Sequence, residues 1–456
     1  MIPDDLAASV ERQTGAAIIK IVPRGGGGAS RQGAEVTLRH ADGRVEAGYL
    51  AYDSRAGDPK RLPFFRRETG ILAALSGPLA QSGVRAPRFI AGDTAHLALL
   101  TALTPGQDRF ADATDPAALG ADFMAQLAAL HRIDPASTGL DELGDPAEAP
   151  SDVIRARIAQ LQADNLAATP DPVLQLALLW LADNVPPDRG RAVVIHGDAG
   201  PGNFLHADNR VTALLDWEFV HLGDPMEDLA QIRVRSMIQP FVPIREAFAA
   251  YEAAGGARVD LDRVRFHRLY FQLGFVVGGH AALYGESGVK TAMLGASMMY
   301  HTLHMRVIVQ SLAELTGQTL RDVPLSDAPV SYADRTFEIA LDDLREAIVP
   351  RLSDQHAAAK AKSMARMVKW WRARDRFGAA FDQAETGEIA DALGCRIEGV
   401  IPARIALTSA LLEGRVARDV ALQLCFNRVT RETALMADAM GALKSAYFPP
   451  LEAVAS

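Results

Sequence analysis

The sequence predicts an α+β chain in which a small β-rich N-terminal part is followed by a larger helical part and an all-α C-terminal domain. Short runs of apolar and β-branched residues, separated by turns, fill the first part of the chain. Long helical patterns rich in Ala and Leu follow from about Pro116 onwards. A strand-rich stretch with several His and Asp residues, 192–225, interrupts these helices, so candidate chemistry lies within the helical part.

Length and composition limit the classes of protein to consider. The chain has 456 residues, too many for one ordinary core, and its net charge of −9 argues against nucleic acid as a partner. Cys395 and Cys425 have no disulfide or metal-site spacing, so we expect a reducing, cytoplasmic compartment. No apolar run is long enough to cross a bilayer and the N-terminus is acidic, so we expect no membrane partner and no signal peptide.

Residues 1–103 are predicted to form a sheet with one helix. The predicted strands are 16–22, two strands within 34–53 around a turn at Asp42-Gly43, and two more within 89–101. Segment 65–75 places Ile71, Leu72 and Leu75 on one helical face. We expect this helix to lie on the sheet.

The remaining chain is predicted to be mostly helical. Residues 104–320 form the larger helical part, 321–334 form a linker rich in Pro, Asp and Ser, and 335–456 form an all-helical accessory domain. In that last domain the apolar residues Phe337, Leu341, Leu344 and Ile348 follow at spacings of four, three and four, which predicts an amphipathic helix.

The stretch 192–225 carries residues suited to phosphate chemistry. A short apolar strand ends at His196, Gly197 and Asp198, and a hairpin around Asp208-Asn209 is expected to carry Asp216 towards Asn203. Mg²⁺ prefers oxygen ligands and leaves coordination positions for phosphate and water. Asn203 and Asp216 are therefore candidate ligands for Mg²⁺ bound with a nucleotide, and Asp198 would face the transferable phosphate.

The order of these motifs resembles a known family. HGD at 196–198, Asn203, Asp-Trp-Glu at 216–218 and GDPxxDLA at 223–230 are similar to the aminoglycoside phosphotransferase and choline kinase branch of the protein-kinase-like fold. The resemblance covers about residues 15 to 310. It implies a bilobal fold, with a β-rich N-lobe over 1–103 that binds nucleotide and a helical C-lobe over 104–320.

The resemblance also implies roles. Asp198 is expected to be the catalytic base that orients an acceptor hydroxyl, His196 to brace the loop, and Asn203 and Asp216 to hold Mg²⁺. The function so implied is a small-molecule kinase that transfers the γ-phosphate of ATP or GTP. The kinase domains fused to acyl-CoA dehydrogenases are similar, so a hydroxyacyl-CoA is as good an acceptor candidate as an aminoglycoside.

Other candidate nucleotide contacts lie in the N-lobe, each with a structural alternative. The glycine-rich run is expected either to cover the phosphates or to be a surface turn. Glu68 is expected either to pair with a phosphate-binding cation or to lie exposed on its helix. Thr101 and Leu103 are expected either to offer backbone groups to adenine or to pack in a buried strand. The members of the run assigned to phosphate are Gly26, Gly27, Gly28, Ala29 and Ser30.

The expected cation is missing from its strand. The basic position that should pair with Glu68 falls on Ala51 or Tyr52, and spacing selects none of the nearby basic residues as its substitute. The substitutes considered are Lys60, Arg61, Arg66, Arg67 and Arg39. This departure leaves open an alternative function, a nucleotide-binding module without transferase activity.

Two further hypotheses concern partners and metals. A metal-dependent phosphoesterase would recruit His196, His206 and His221, although such sites need several imidazoles that converge. The segment 335–456 resembles a helical domain of unknown function that accompanies some bacterial phosphotransferases. That domain could form a homodimer face. The expected partners are thus a nucleotide and a hydroxylated small molecule.

Overall fold

A computed structural model describes residues 2–24, 31–53, 59–284, 293–325, 327–446 and 451. Contacts group the chain into two compact units, each of which combines separate stretches of the sequence. The first unit contains 1–150 and 188–264, and the second contains 151–187 and 265–451. The sequence instead predicts domains that are continuous along the chain, with boundaries at 103, 320 and 334, and these boundaries remain a prediction. The α+β class is confirmed, since the first unit contains an antiparallel sheet and the second unit is helical where it is described.

The sheet of the first unit has the strand order β1-β2-β3-β5-β4 and is antiparallel throughout. The hairpin predicted around Asp42-Gly43 is confirmed, with Gly43 at a φ of 84°. The five strands are β1 (Ala16–Arg24), β2 (Arg31–His40), β3 (Val45–Asp53), β4 (Phe89–Asp93) and β5 (Ala98–Ala102).

The two faces of this sheet differ in character. Leu50 and Tyr52 of β3 lie in an apolar core that also contains Leu6 and Val10 of α1 (Asp4–Thr14), a helix that the sequence did not predict. Because side chains alternate along a strand, Ala51 faces the opposite side, where the candidate site lies.

The predicted helix over 65–75 is confirmed as α2 (Leu62–Ser76), and its buried face carries a charge. Phe65, Glu68, Leu72 and Leu75 are buried at spacings of three, four and three, as expected of one helical face. Glu68 is 3% exposed, so the alternative of a surface carboxylate is wrong. A buried carboxylate needs a partner, which the sheet supplies.

The rest of the first unit contains the stretch 192–225 and the helices that pack beside it. The hairpin predicted around Asp208-Asn209 is confirmed, and both residues have the positive φ of a tight hairpin turn. The remaining elements of this unit are α3 (Pro116–His131), β6 (Val193–Ile195), β7 (Phe204–Ala207), β8 (Arg210–Leu214), β9 (His221–Gly223), α6 (Met226–Arg235) and α7 (Ile244–Ala253). β6 pairs with β9 and β7 with β8.

The second unit is built from helices around one large apolar core. Its helices are α4 (Pro150–Ala167), α5 (Pro172–Asp183), α8 (Leu261–Tyr284), α9 (Leu294–Thr316), α10 (Asp334–Asp342), α11 (Gln355–Leu393), α12 (Val400–Leu412) and α13 (Arg418–Met440). A wider π-helical segment, Asp343–Ile348, follows α10, so the helix predicted from Phe337 to Ile348 is not a single α-helix. No helix within the described ranges is long and apolar enough to span a membrane.

Candidate active site

The predicted catalytic loop, residues 196–203, begins where β6 ends, and its second residue must be glycine. Gly197 has a φ of 81°, and a Cβ at this position would lie 2.1 Å from the carbonyl oxygen of Phe219. Any other residue would be strained and would collide with this backbone, so Gly197 allows the loop to turn immediately before Asp198.

Asp198 lies in a pocket of donors. Arg235 Nη1 donates to both carboxylate oxygens at 2.9 Å, and Asn203 Nδ2 donates to Oδ2 at 2.7 Å. Burial raises the pKa of Asp198 above its ordinary value, although the charges of Arg235 and His196 oppose this shift. Asp198 is therefore an oriented carboxylate of raised proton affinity, which suits a general base.

Arg235 also holds Asn203, and the sequence analysis missed it. Its Nη2 donates to Asn203 Oδ1 at 2.9 Å and its Nε to the carbonyl of Pro201 at 3.0 Å. One guanidinium thus links the predicted base to a predicted metal ligand.

A polar stripe on α6 supports the whole loop. Asp228 accepts from the backbone N–H of His196 at 2.8 Å and of Gly197 at 2.9 Å, and Gln231 Oε1 accepts from Ala199 N–H at 2.8 Å. With Arg235, these helix residues follow the i, i+3, i+7 spacing of one helical face. That spacing in "DLAQIRVR" was the available sequence signal for Arg235.

His196 connects the loop to the strand that carries Asp216. Its Nε2 donates to the carbonyl of Leu215 at 2.8 Å, and Leu215 N–H donates to the carbonyl of Asn203, also at 2.8 Å. This is the geometry of a side chain that braces the loop. The same contacts bring Asp216 next to Asn203, and Asp216 itself adopts the left-handed conformation, with a φ of 60°.

The donor types fit a hard cation such as Mg²⁺. Asn203 offers an amide oxygen and Asp216 a carboxylate, but the Asn203 oxygen already accepts from Arg235, so a cation there would share or displace that donor. Among the described residues no group of three or more His, Cys, Asp or Glu could hold a metal. His206, one of the imidazoles that a phosphoesterase would recruit, has its Nε2 3.0 Å from the carbonyl oxygen of Arg109.

The cation that pairs with Glu68 comes from a different strand than expected. Arg31, at the start of β2, forms an ion pair with Glu68 that measures 2.5 Å from Nη2 to Oε2. Burial lowers the pKa of Arg31, and the charges of Glu68, Glu218 and Asp216 more than offset this, so the guanidinium stays charged. Arg31 was not among the substitutes considered from the sequence.

The strand register explains why Arg31 can take this position. Gly33 pairs with Ala51 and Arg31 with Asp53, so Arg31 lies on the same sheet face as Ala51. Two of the substitutes have other contacts: Arg61 pairs with Asp53 at 3.0 Å and with Glu218 at 3.5 Å, and Arg67 lies over the Phe64 ring. This register follows from a three-residue turn, 41–43, across which His40 N–H donates to the carbonyl of Arg44 at 2.9 Å.

Only some of the other predicted nucleotide contacts lie within the described residues. Thr101 is buried in β5, and the N–H of Leu103 donates to the carbonyl of Ala47 at 3.0 Å. The run Gly26, Gly27, Gly28, Ala29 and Ser30 lies outside the described residues. The nucleotide roles of all these residues remain predictions.

Comparison with known proteins bears out the resemblance seen in the sequence. Residues 24–267 match the phosphotransferase enzyme family, APH. A macrolide 2′-phosphotransferase, MphH from Brachybacterium faecium, is 20% identical with a TM-score of 0.47, over 63% of this chain and 100% of that chain. An aminoglycoside 2′-phosphotransferase-IIIa mutant in a GDP complex is 15% identical with a TM-score of 0.47, over 69% of this chain and 98% of that chain.

Curated relatives match over a shorter part. Acyl-CoA dehydrogenase family member 11 of Gallus gallus is 37% identical over 108 residues, 23% of this chain and 13% of that protein. The protein of the same name in Rattus norvegicus is 32% identical over 118 residues, 25% of this chain and 15% of that protein. The chain thus spans a small fraction of the length of these relatives.

Proposed function

Since the chain belongs to the phosphotransferase enzyme family, we propose that it transfers the γ-phosphate of ATP or GTP to a hydroxyl of a small molecule. One observation carries this proposal: Asp198 and Asn203 are joined by a direct hydrogen bond, and a backbone hydrogen bond of Leu215 holds the adjacent Asp216 close to Asn203. Asn203 donates to Asp198 at 2.7 Å and accepts at its carbonyl from Leu215, the neighbour of Asp216, at 2.8 Å. Phosphoryl transfer needs mostly positioning and charge neutralisation, which such a constellation supplies.

Each residue of the constellation has a distinct task in this proposal. Asp198 orients the acceptor hydroxyl and accepts its proton, helped by the raised pKa that burial causes. Arg31, fixed by Glu68, is the cation that neutralises the nucleotide phosphates from the N-lobe. Asn203 and Asp216 would hold Mg²⁺, which when bound would neutralise phosphate charge and leave positions for phosphate oxygens.

A second candidate function is a nucleotide-binding module without transferase activity, and Arg235 favours it. Its guanidinium neutralises Asp198 and engages the oxygen of Asn203 that a metal would need. An arginine that stayed there with nucleotide bound would leave the base paired and the metal with one protein ligand fewer. The same contacts fit the kinase if nucleotide and metal draw Arg235 away from Asn203.

The acceptor we propose to test first is an acyl-CoA with a hydroxyl on its acyl chain. The support is the similarity to proteins named as acyl-CoA dehydrogenase family members. An aminoglycoside is the second acceptor in the panel, because the sequence motifs resemble that branch equally well.

Thermal unfolding and phosphate transfer with MgATP and MgGTP test these functions together. The kinase predicts stabilisation by nucleotide and transfer to the acceptor, and it predicts that Asp198→Asn lowers transfer by about 10²- to 10⁴-fold while stabilisation persists. Asp208→Asn is the matched control, because Asp208 is exposed at the hairpin turn and asparagine tolerates its positive φ.

The outcomes separate the two functions. Stabilisation by nucleotide without transfer to either acceptor, from ATP and GTP alike, supports the binding module. Absence of stabilisation by both nucleotides removes both functions. Normal transfer in Asp198→Asn removes Asp198 from the role of base.

A further inference from the structure

A basic cleft lies in the first unit, away from the candidate active site. It has a volume of about 630 Å³ and is formed by the loop before β6, the junction of β9 and α6, and the segment 257–263. This volume is within the range of about 300 to 1,000 Å³ typical of small-molecule sites. None of the residues assigned above to catalysis, nucleotide or metal lines it.

The charge of the cleft is opposite to that of the chain. Its lining contains four arginines and two aspartates, whereas the whole chain carries a net charge of −9. The aspartates pair with two of the arginines, Arg189 with Asp260 at 3.3 Å and Arg263 with Asp224. Arg191 pairs with Asp134 at 3.1 Å, so the surplus of positive charge in the lining comes from Arg258.

Three of the arginines present exposed donors at the cleft. Arg258 is exposed and makes no ion pair or hydrogen bond within the described residues. The side chains of Arg189 and Arg191 are 66% and 68% exposed, and the ion pair of each is made through Nη1. Exposed guanidinium groups bind anions through charge-assisted hydrogen bonds.

The cleft is separate from the catalytic carboxylate. Val193 lines the cleft at the start of β6, while Ile195 at its other end leads into His196. Met226 and Arg235 are the first and last residues of α6, a distance of about 14 Å at 1.5 Å per residue. A ligand in the cleft would thus lie at the far end of the helix that holds Asp198.

From these observations we propose that the cleft binds a small molecule through a phosphate group. Phosphate matches the fork geometry of arginine and needs several donors, which Arg258, Arg189 and Arg191 supply together. The cavity is larger than a phosphate ion, so the remainder of the ligand occupies the space beside Val259 and Leu261.

Calorimetric titration with inorganic pyrophosphate, without divalent cations and at low salt, tests the proposal. We expect saturable binding that Arg258→Glu weakens at least about tenfold, or about 1.4 kcal/mol. Arg396→Glu is the matched control, because Arg396 is 88% exposed in the second unit and the change in charge is identical. Arg31→Gln, in the candidate active site, should leave this binding in place.

Each result decides the matter. Equal weakening by Arg258→Glu and Arg396→Glu would show an effect of net charge alone and would overturn the proposal. Loss of binding in Arg31→Gln with retention in Arg258→Glu would place pyrophosphate in the active site only. No saturable binding to the wild-type protein at about millimolar pyrophosphate, where ΔG is near −4 kcal/mol, would also overturn it. Inorganic phosphate should bind more weakly than pyrophosphate, since it satisfies fewer donors.

Discussion

Arg31 and Glu68 form a buried ion pair in which Nη2 and Oε2 are 2.5 Å apart. The cation comes from the start of β2, whereas the sequence places the expected basic position at Ala51 or Tyr52 of β3. A charged guanidinium therefore lies on the same sheet face as Ala51, and its contact with phosphate is part of the proposed function.

The first prediction concerns that guanidinium. Arg31→Gln should weaken nucleotide binding by at least about tenfold, since a charge-assisted contact contributes about 1.5 to 3 kcal/mol. It should also lower the free energy of unfolding, because Glu68 is left buried without its partner. Nucleotide titration and chemical denaturation measure the two effects. Arg39→Gln, an exposed position on the same strand, is the control, and an equal loss there would contradict the assignment.

The second prediction concerns Arg235. Arg235→Gln removes the donor to Asn203 Oδ1, so a metal no longer competes with it for that oxygen. The Mg²⁺ concentration that gives half of the nucleotide-dependent stabilisation should fall, while transfer should also fall because Asp198 loses its orientation. Thermal unfolding over a Mg²⁺ series measures the first effect. An unchanged Mg²⁺ midpoint would argue against competition, and Arg210→Gln on the exposed hairpin is the control.

The third prediction concerns Asp228, which is fully buried. Asp228→Asn replaces an acceptor of the His196 and Gly197 amides with a donor, and one of these N–H groups then loses its partner. We expect a loss of about 1 to 3 kcal/mol in the free energy of unfolding. Glu246→Gln, on α7 and exposed, gives the baseline for a neutralised carboxylate. A variant as stable as the wild type would show that Asp228 does not hold the loop.

The fourth prediction is a pH dependence in the second unit. Burial, together with the charge of His280, lowers the pKa of His301 to about 3. Between that value and about 6.5 the unfolded chain binds a proton that the folded chain does not, so the free energy of unfolding falls as pH falls. The contribution of one histidine is at most about 1.4 kcal/mol per pH unit.

Denaturation between pH 8 and 4.5 measures this slope. His301→Gln should show a smaller slope than the wild type over the acidic range, whereas the difference at pH 8 reports the lost packing and the lost hydrogen bond with His280. Equal slopes would mean that His301 is not kept neutral by the fold.

The sequence by itself determined the features that depend on neighbours along the chain. The hairpin around Asp208-Asn209 and the end of α9 at Gly317 were predictable because a tight turn and a left-handed helix cap require particular residue types locally. The fixed order of His196, Asp198, Asn203 and Asp216 was likewise readable, since the catalytic loop and the following hairpin are one continuous segment.

Only the tertiary structure decided which distant charges meet. Arg31 reaches Glu68 because strand register places it on the sheet face that α2 covers, and Arg235 reaches Asp198 because one face of α6 packs under the loop. Composition and spacing do not select such pairs, because many charges lie within reach along the sequence. Burial selects them, since a carboxylate removed from water is stable only beside the cation that the fold brings to it.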